Sequence, residues 1–417
     1  MVRRTLAGLL FLLASHTLAS DADYGAFAAW ARPRIVRLDE TGAAFRSLDN
    51  AFKSTKLIGV GESVHESEPF LSFRVRWLKE LIQRHQVTAL VYESGLAEAM
   101  AADDYVTGRT SAVDWNAALS GGYGHLAGIR AAMEWLREWN LGAGRKRPVH
   151  VYGADVPGRE ASMLPALDRL QELTADQPEV KRLIDAVRPT ATLTAAPWFR
   201  PAQEKYDALS TEAKTEWTRN VNALVEGIAR LKAGDPEHLE WARRVAITAQ
   251  QYEAMQRLGA FSDAVPREEA MANNLMWILG RLKSGERAVY WAHNAHVQKV
   301  PVSGPALPPG RFASTGSKLK MLLGPKYFAI GLTYGGPSRD GGAAVPEGSL
   351  DAALSSLSTT AFVLRLDADS QPASVAAWWS EERPMRFQVK HLLLPVGPAF
   401  DALVYFPGAR AAARAEP

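Results

Sequence analysis

The sequence predicts an α/β protein: a mainly parallel sheet with crossover helices and a helical insertion. Three observations carry this reading. Four short apolar runs each end on an ionisable residue: Leu57 to Gly61 at Glu62, Ala89 to Tyr92 at Glu93, Val149 to Ala154 at Asp155, and Ala288 to Ala292 at His293. Helical stretches alternate with these runs, as they do when a parallel sheet is built through crossovers. Residues 196–262 interrupt the alternation with long, Gly- and Pro-poor helical sequence. Ligands of open α/β sheets bind beyond the carboxyl ends of the strands, so the four terminal groups are expected to share one cleft.

The elements follow in chain order. Residues 1–20 read as an export signal: Arg3 and Arg4, an apolar stretch from Thr5 to Ser15 too short to span a bilayer, and small residues up to Ala19. This predicts a periplasmic or secreted protein with no stable membrane span once the signal is removed. Residues 24–55 read as helical and irregular, with Trp30 and Phe45 in the core. The strand ending at Glu62 precedes a helix over Pro69–His85. The strand ending at Glu93 precedes a helix over Leu96–Tyr105. A Gly-rich loop at Gly121-Gly122-Tyr123-Gly124 leads into a helix over Leu126–Trp139, and the third strand ends at Asp155. Within 196–262, two long helices are expected to part near Gly234-Asp235-Pro236. A helix over 267–284 feeds the strand ending at His293, and the Pro-rich stretch from Pro301 to Gly310 reads as a loop at the cleft rim. Further strands are expected at Tyr327–Thr333, Ala361–Leu366 and Ala402–Phe406, with a fraying end beyond Ala409. The expected division is a leader over 1–20, a first α/β part over 21–195, the insertion over 196–262, and a second α/β part over 263–417.

With 417 residues, 47% of them hydrophobic and 22% charged, the chain has the composition of a folded globular protein. The net charge is only +3, and no basic patch stands out, which argues against a nucleic-acid partner. The absence of cysteine excludes disulfides, thiol catalysis and Cys-based zinc sites. Nothing in the sequence fixes an oligomeric state.

Chemistry concentrates around the strand ends. On the helix after Glu62, Arg74 falls within the apolar stripe of Phe70, Phe73, Trp77, Leu78 and Leu81. A core-facing guanidinium needs an acidic partner, and Glu62 and Glu93 are the candidates. Glu62 and His65, three residues apart, can pair, which fixes the imidazole tautomer and raises its basicity. His293 and His296, with Asn294 between them, suit metal binding, proton donation or orientation of a carbonyl. Glu62, His65, Glu93, His293 and His296 together also allow a metal-dependent hydrolase, although the nearby Arg74 argues against a dication. A third reading is a periplasmic protein holding haem or another ligand between the histidines. Asp155, Asn294 and Tyr123 are candidate substrate-binding residues, and Trp115 is a candidate for an apolar pocket. Gly61-Glu62-Ser63-Val64-His65 is not a serine nucleophile elbow. Gly59-x-Gly61 lacks the third glycine of a dinucleotide site.

The segment Gly61 to His65 with Arg74 and Glu93, the Gly153-Ala154-Asp155 strand end, Arg267 to Asn274 leading into Trp277, and Trp291 to Val297 together resemble the erythromycin esterase family. The resemblance implies hydrolysis of a macrolide-lactone-like ester, an antibiotic-resistance activity, by an activated water without an essential metal or other cofactor. It places His65 at the general-base position, with Glu62, Arg74, Glu93, His293 and His296 as the functional carboxylates, arginine and histidines. The sequence departs from the family where Glu66 follows His65, since Gly is frequent there.

Overall fold

The computed structural model describes residues 21–156, 161–259, 265–304, 311–337, 345–366 and 371–416. The expected export signal over 1–20 and most of the expected rim loop (305–310) lie outside the described residues. Ten strands occur among the described residues: β1 (Val36–Arg37), β2 (Leu57–Val60), β3 (Val87–Gly95), β4 (His150–Asp155), β5 (Arg287–Trp291), β6 (Tyr327–Tyr334), β7 (Phe362–Arg365), β8 (Glu382–Phe387), β9 (Lys390–Pro395) and β10 (Ala402–Phe406). Eight of them form one sheet in the order β1-β7-β10-β6-β2-β5-β3-β4. From β10 to β4 every pairing is parallel, while β7 and β1 close one edge antiparallel. The predicted class, an α/β fold with a mainly parallel sheet, is the observed one.

Both faces of the sheet are covered, so its central strands are mainly apolar rather than alternating with polar residues. Ile58, Leu90 and Val289 point into a core shared with the Glu68–His85 and Ala127–Leu141 helices. Their neighbours Leu57, Ala89 and Ala288 point into a second core, with the Asp21–Ala31 and Pro266–Arg281 helices. The Glu68–His85 helix starts with Pro69 in its first turn, where a missing N–H costs nothing. It buries Phe70, Phe73, Trp77, Leu78 and Leu81, and Arg74 with them.

A third core belongs to five helices: Leu164–Leu173, Pro178–Thr194, Phe199–Asp207, Thr211–Ala229 and Pro236–Leu258. The expected break near Gly234 is present, and the Asp235 side chain caps the last helix by accepting from the His238 N–H at 2.9 Å. A second break, capped by Ser210, divides the preceding stretch. The helices upstream of 196 belong to the same packed layer, because Leu167, Leu170, Val180 and Ile184 share its core with Trp217, Val221 and Leu224.

Two features differ from the sequence expectations. β8 and β9 form a separate antiparallel ribbon that Pro384 argues against, yet a two-stranded ribbon leaves each strand an open edge that needs no proline N–H. Residues 410–416, expected to fray, do not. They are pinned through antiparallel bridges pairing Ser67 with Ala411 and Leu126 with Arg414. The main chain supplies these contacts, which is why side-chain patterning does not reveal them. No helix among the described residues is long and apolar enough to cross a membrane.

Candidate active site

The carboxyl ends of the neighbouring strands β2, β5, β3 and β4 bring Glu62, His293, Glu93 and Asp155 to one edge of the sheet. Beyond β2 the chain passes Gly61, where a Cβ would lie 2.0 Å from Asn294 Oδ1, so only glycine fits. Asn294 is buried; its amide donates to Leu332 O at 2.9 Å and its N–H to Glu62 O at 2.8 Å. It ties the ends of β2 and β6 together and does not line the cleft, which corrects its expected substrate contact.

The centre is a relay of three side chains. His65 Nδ1 lies 2.8 Å from Glu62 Oε1. Arg74 Nη1 donates to Glu62 Oε2 at 2.7 Å, and Nη2 donates to Val60 O at 2.7 Å and Ala292 O at 2.8 Å. Arg74 is thus the core-facing arginine the periodicity predicts, paired with Glu62. It is not oriented by Glu93, and with its side chain only 3% exposed it cannot touch a substrate. The His65 side chain is 35% exposed and opens into the cleft. Burial works against its charge, but Glu62 and Glu93 outweigh it and raise the pKa above the ordinary histidine value. Burial likewise opposes charge on Glu62, and Arg74 and His65 together still hold its carboxyl below the usual range.

His293 stands beside His65, with ring centroids 5.2 Å apart. Its Nδ1 accepts from Ala295 N at 3.2 Å, so the proton sits on Nε2, which donates to Ser63 O at 3.1 Å. Both nitrogens are spent on backbone. Burial, reinforced by the charge of His65, lowers His293 to about 3, so the ring is neutral. It orders the loop that carries His65 and, in this arrangement, offers no nitrogen to a carbonyl, metal or haem.

Glu93 organises a second cluster. Its Oε2 accepts from His293 N at 2.8 Å, and its Oε1 accepts from Arg267 Nη2 at 3.0 Å. Arg267 also grips Asp155, donating from Nε at 3.0 Å. His296 lies behind, with Nδ1 2.8 Å from Glu268 Oε1 and Nε2 3.2 Å from Glu93 Oε1. Burial opposes a charge there, yet Glu268 and Glu93 raise His296 to about 10. The imidazolium therefore directs its Nε2 proton to Glu93. The approach of Arg267 Nη1 to the same nitrogen, at 3.2 Å, is a like-charge contact offset by the surrounding carboxylates. Burial resists ionisation of Glu93 as well, and His296, His65 and Arg267 hold its carboxyl well below the usual range.

These groups border a cleft of about 500 Å³ lined by His65, Glu66, Glu93, Gly121, Tyr123, Asp155, Phe199, Arg267, Gln388 and Arg414. Tyr123 donates weakly to Glu62 Oε1 at 3.4 Å. Trp115 packs on Tyr105 instead. Phe199, from the helical layer, faces the Arg267 guanidinium at 5.1 Å. Six lining residues are not among the sequence candidates: Glu66 and Gly121, which adjoin candidates, and Arg267, Phe199, Gln388 and Arg414. Arg267 carried a signal, since it adjoins Glu268, a charge on the buried face of its helix with Met271 and Leu275. Phe199 read as an ordinary helix aromatic. Gln388 and Arg414 come from the β8–β9 turn and the terminal segment, neither of which has a sequence signature. Among the described residues, no three His, Asp or Glu side chains are grouped to hold a metal. A larger cavity of about 720 Å³ opens at the other end of the sheet, around Asp103, His150 and Trp241, and contains none of the predicted residues.

The sequence pattern of the erythromycin esterase family matches residues 82–408. The chain belongs to this family. An erythromycin esterase type II of Escherichia coli is 24% identical over 315 residues, covering 71% of this chain and 73% of the relative. A crystal structure of a Bacillus cereus protein superposes with a TM-score of 0.77 at 18% identity, covering 94% of this chain and 99% of that one. A histidine-to-asparagine mutant of the erythromycin esterase EreC, in its open conformation, gives 0.73 at 19% identity, over 91% of this chain and 98% of that one. At such identities these two structures speak for the fold alone. Family membership makes the protein an ester hydrolase acting on a small-molecule ester. The family match opens after Glu62, His65 and Arg74, so the case for these three rests on their geometry.

Proposed function

We propose that this erythromycin esterase homologue hydrolyses a carboxylic ester with a water activated by His65, without a metal. The observation that carries the proposal is the buried Arg74–Glu62 pair holding the imidazole at the cleft wall. The Nδ1 proton faces Glu62, so Nε2 takes the proton from water as the oxygen attacks the ester carbonyl. Arg267, 13% exposed at the cleft floor, faces the negative charge that develops on the carbonyl oxygen. His65 then returns its proton to the departing alkoxide, leaving acid and alcohol. The name of the Escherichia coli relative makes a macrolide-type lactone the leading substrate class.

The test is His65→Ala assayed against macrolides and simple esters by mass spectrometry. Wild type should add one water to a lactone. The variant should lose about 10²–10⁴-fold in turnover, the usual worth of a general base. Unchanged turnover in the variant, or loss of wild-type activity on chelation, refutes the proposal.

A further inference from the structure

The segment from Arg410 to Glu416 crosses the mouth of the site as an extended strap. Glu68 N donates to Arg410 O at 2.9 Å, and Ala412 N donates to Glu66 O at 2.8 Å. Further along, Ala127 N donates to Ala413 O at 3.0 Å, and Ala415 N donates to His125 O at 2.8 Å. Arg130 Nη1 reaches Glu416 O at 2.9 Å. One bridge therefore grips the loop carrying His65, and the other grips the loop carrying Tyr123. Between them the Arg414 side chain lines the cleft, 3.8 Å from Glu66.

The first bridge falls on a strained residue. Glu66 has φ +56°, in the left-handed region that a non-glycine residue holds only where its surroundings impose it. The carbonyl that Ala412 binds is that of Glu66, directly after His65. On the other side of the loop, Gln388 N donates to Ser63 O at 2.7 Å, and the Gln388 side chain faces His65 N at 3.4 Å. The loop is thus clamped from both sides by segments more than 300 residues away in sequence.

We propose that the Ala412 N–H of this strap is a positioning group of the active site, holding Glu66 left-handed so that His65 meets Glu62 and the cleft. The proposal rests on the general-base assignment to His65 and adds the Ala412 main-chain contact to the machinery that aims it. Ala411 supplies a control, because its N–H takes no part in either bridge.

The experiment compares Ala412→Pro, which removes the N–H that grips Glu66, with Ala411→Pro. Each is made in the full chain, both in wild type and with Glu66→Gly, since glycine adopts positive φ without help. Ala412→Pro should lower kcat by about 10²-fold, the scale of a ~1 Å misplacement, with KM changed much less. Ala411→Pro should stay within about twofold of its parent, inside the scatter of a surface substitution. In the Glu66→Gly background the Ala412→Pro penalty should largely vanish. An NMR titration of the His65 ring serves as a readout independent of turnover: its pKa should fall toward the ordinary value in Ala412→Pro alone. Normal kcat in Ala412→Pro, an equal penalty in both backgrounds, or an unmoved His65 titration overturns the proposal. If no ester is turned over by wild type, the general-base reading fails, while the titration still decides whether the strap aims the ring.

Discussion

Replacing Arg74 with Met tests how the proposed Glu62–His65 dyad is held. The side chain makes three hydrogen bonds of 2.7–2.8 Å from a site only 3% exposed. Methionine fills much of the same volume but leaves Glu62 as a buried carboxylate facing only His65 and the weak Tyr123 donor. Breaking a buried ion pair from one side costs about 3–5 kcal/mol. Two carbonyls that lose a donor add about 1 kcal/mol or more each. The expected total, roughly 5–7 kcal/mol, is a large share of the 5–15 kcal/mol that holds an ordinary domain together. Urea unfolding reads this as a lower midpoint with an unchanged slope. Much of the cost is the orphaned charge, so adding Glu62→Gln should return about 2 kcal/mol or more even though it removes another native group. The deficit of Arg74→Met relative to wild type should also shrink on acidification, as Glu62 takes up a proton. A deficit below about 1 kcal/mol, or one equal in both Glu62 backgrounds, would refute the reasoning, because a buried pair broken from one side is worth more.

Other expectations follow from the same geometry. His296 is raised to about 10 in the folded state, so its contribution is whole below the unfolded value near 6.5 and is lost as pH climbs toward 10. Stability of wild type should therefore fall over that window at up to about 1.4 kcal/mol per pH unit, and His296→Gln should flatten the decline, measured by urea melts across the range. Arg267→Met should lower kcat by about 10²–10³-fold while KM moves little, since its contact forms with the charge of the transition state; a pure KM effect would contradict that role. Gly61→Ala should cost about 1–3 kcal/mol, and Asn294→Ala should recover part of it by removing the atom the new methyl meets; thermal melts of the pair check this. Phe199→Ala should raise KM for bulky lactones more than for small esters, and equal changes would place Phe199 outside the substrate's reach.

Much of this was legible in the sequence. The parallel strands announced themselves because a sheet covered on both faces needs apolar residues at every position, and each run stopped where a charge replaced them. Arg74 betrayed its pairing by interrupting an apolar stripe. Glu62 and His65 were readable because they are local. The partner of Arg74 stayed open between two carboxylates because strand order cannot be read from spacing: β5 lies between β2 and β3, which leaves Arg74 with Glu62 and puts Glu93 with Arg267 and His296. His293 looked catalytic from its position, and only the backbone around it reveals that both nitrogens are used. The β8–β9 turn and the strap act through main-chain hydrogen bonds, which leave no pattern in residue type.

The position of β5 also governs the order in which the molecule can assemble. β2 and β3 are consecutive in the chain but never touch, and the strand that fills the gap between them begins at Arg287. During synthesis both facing edges wait, unpaired, while the whole five-helix layer is made. Sheet closure then joins partners about 200 residues apart, which makes folding slow and exposes sticky edges in the meantime. A ribosome halted before Arg287 would carry a half-built sheet prone to pairing with its neighbours.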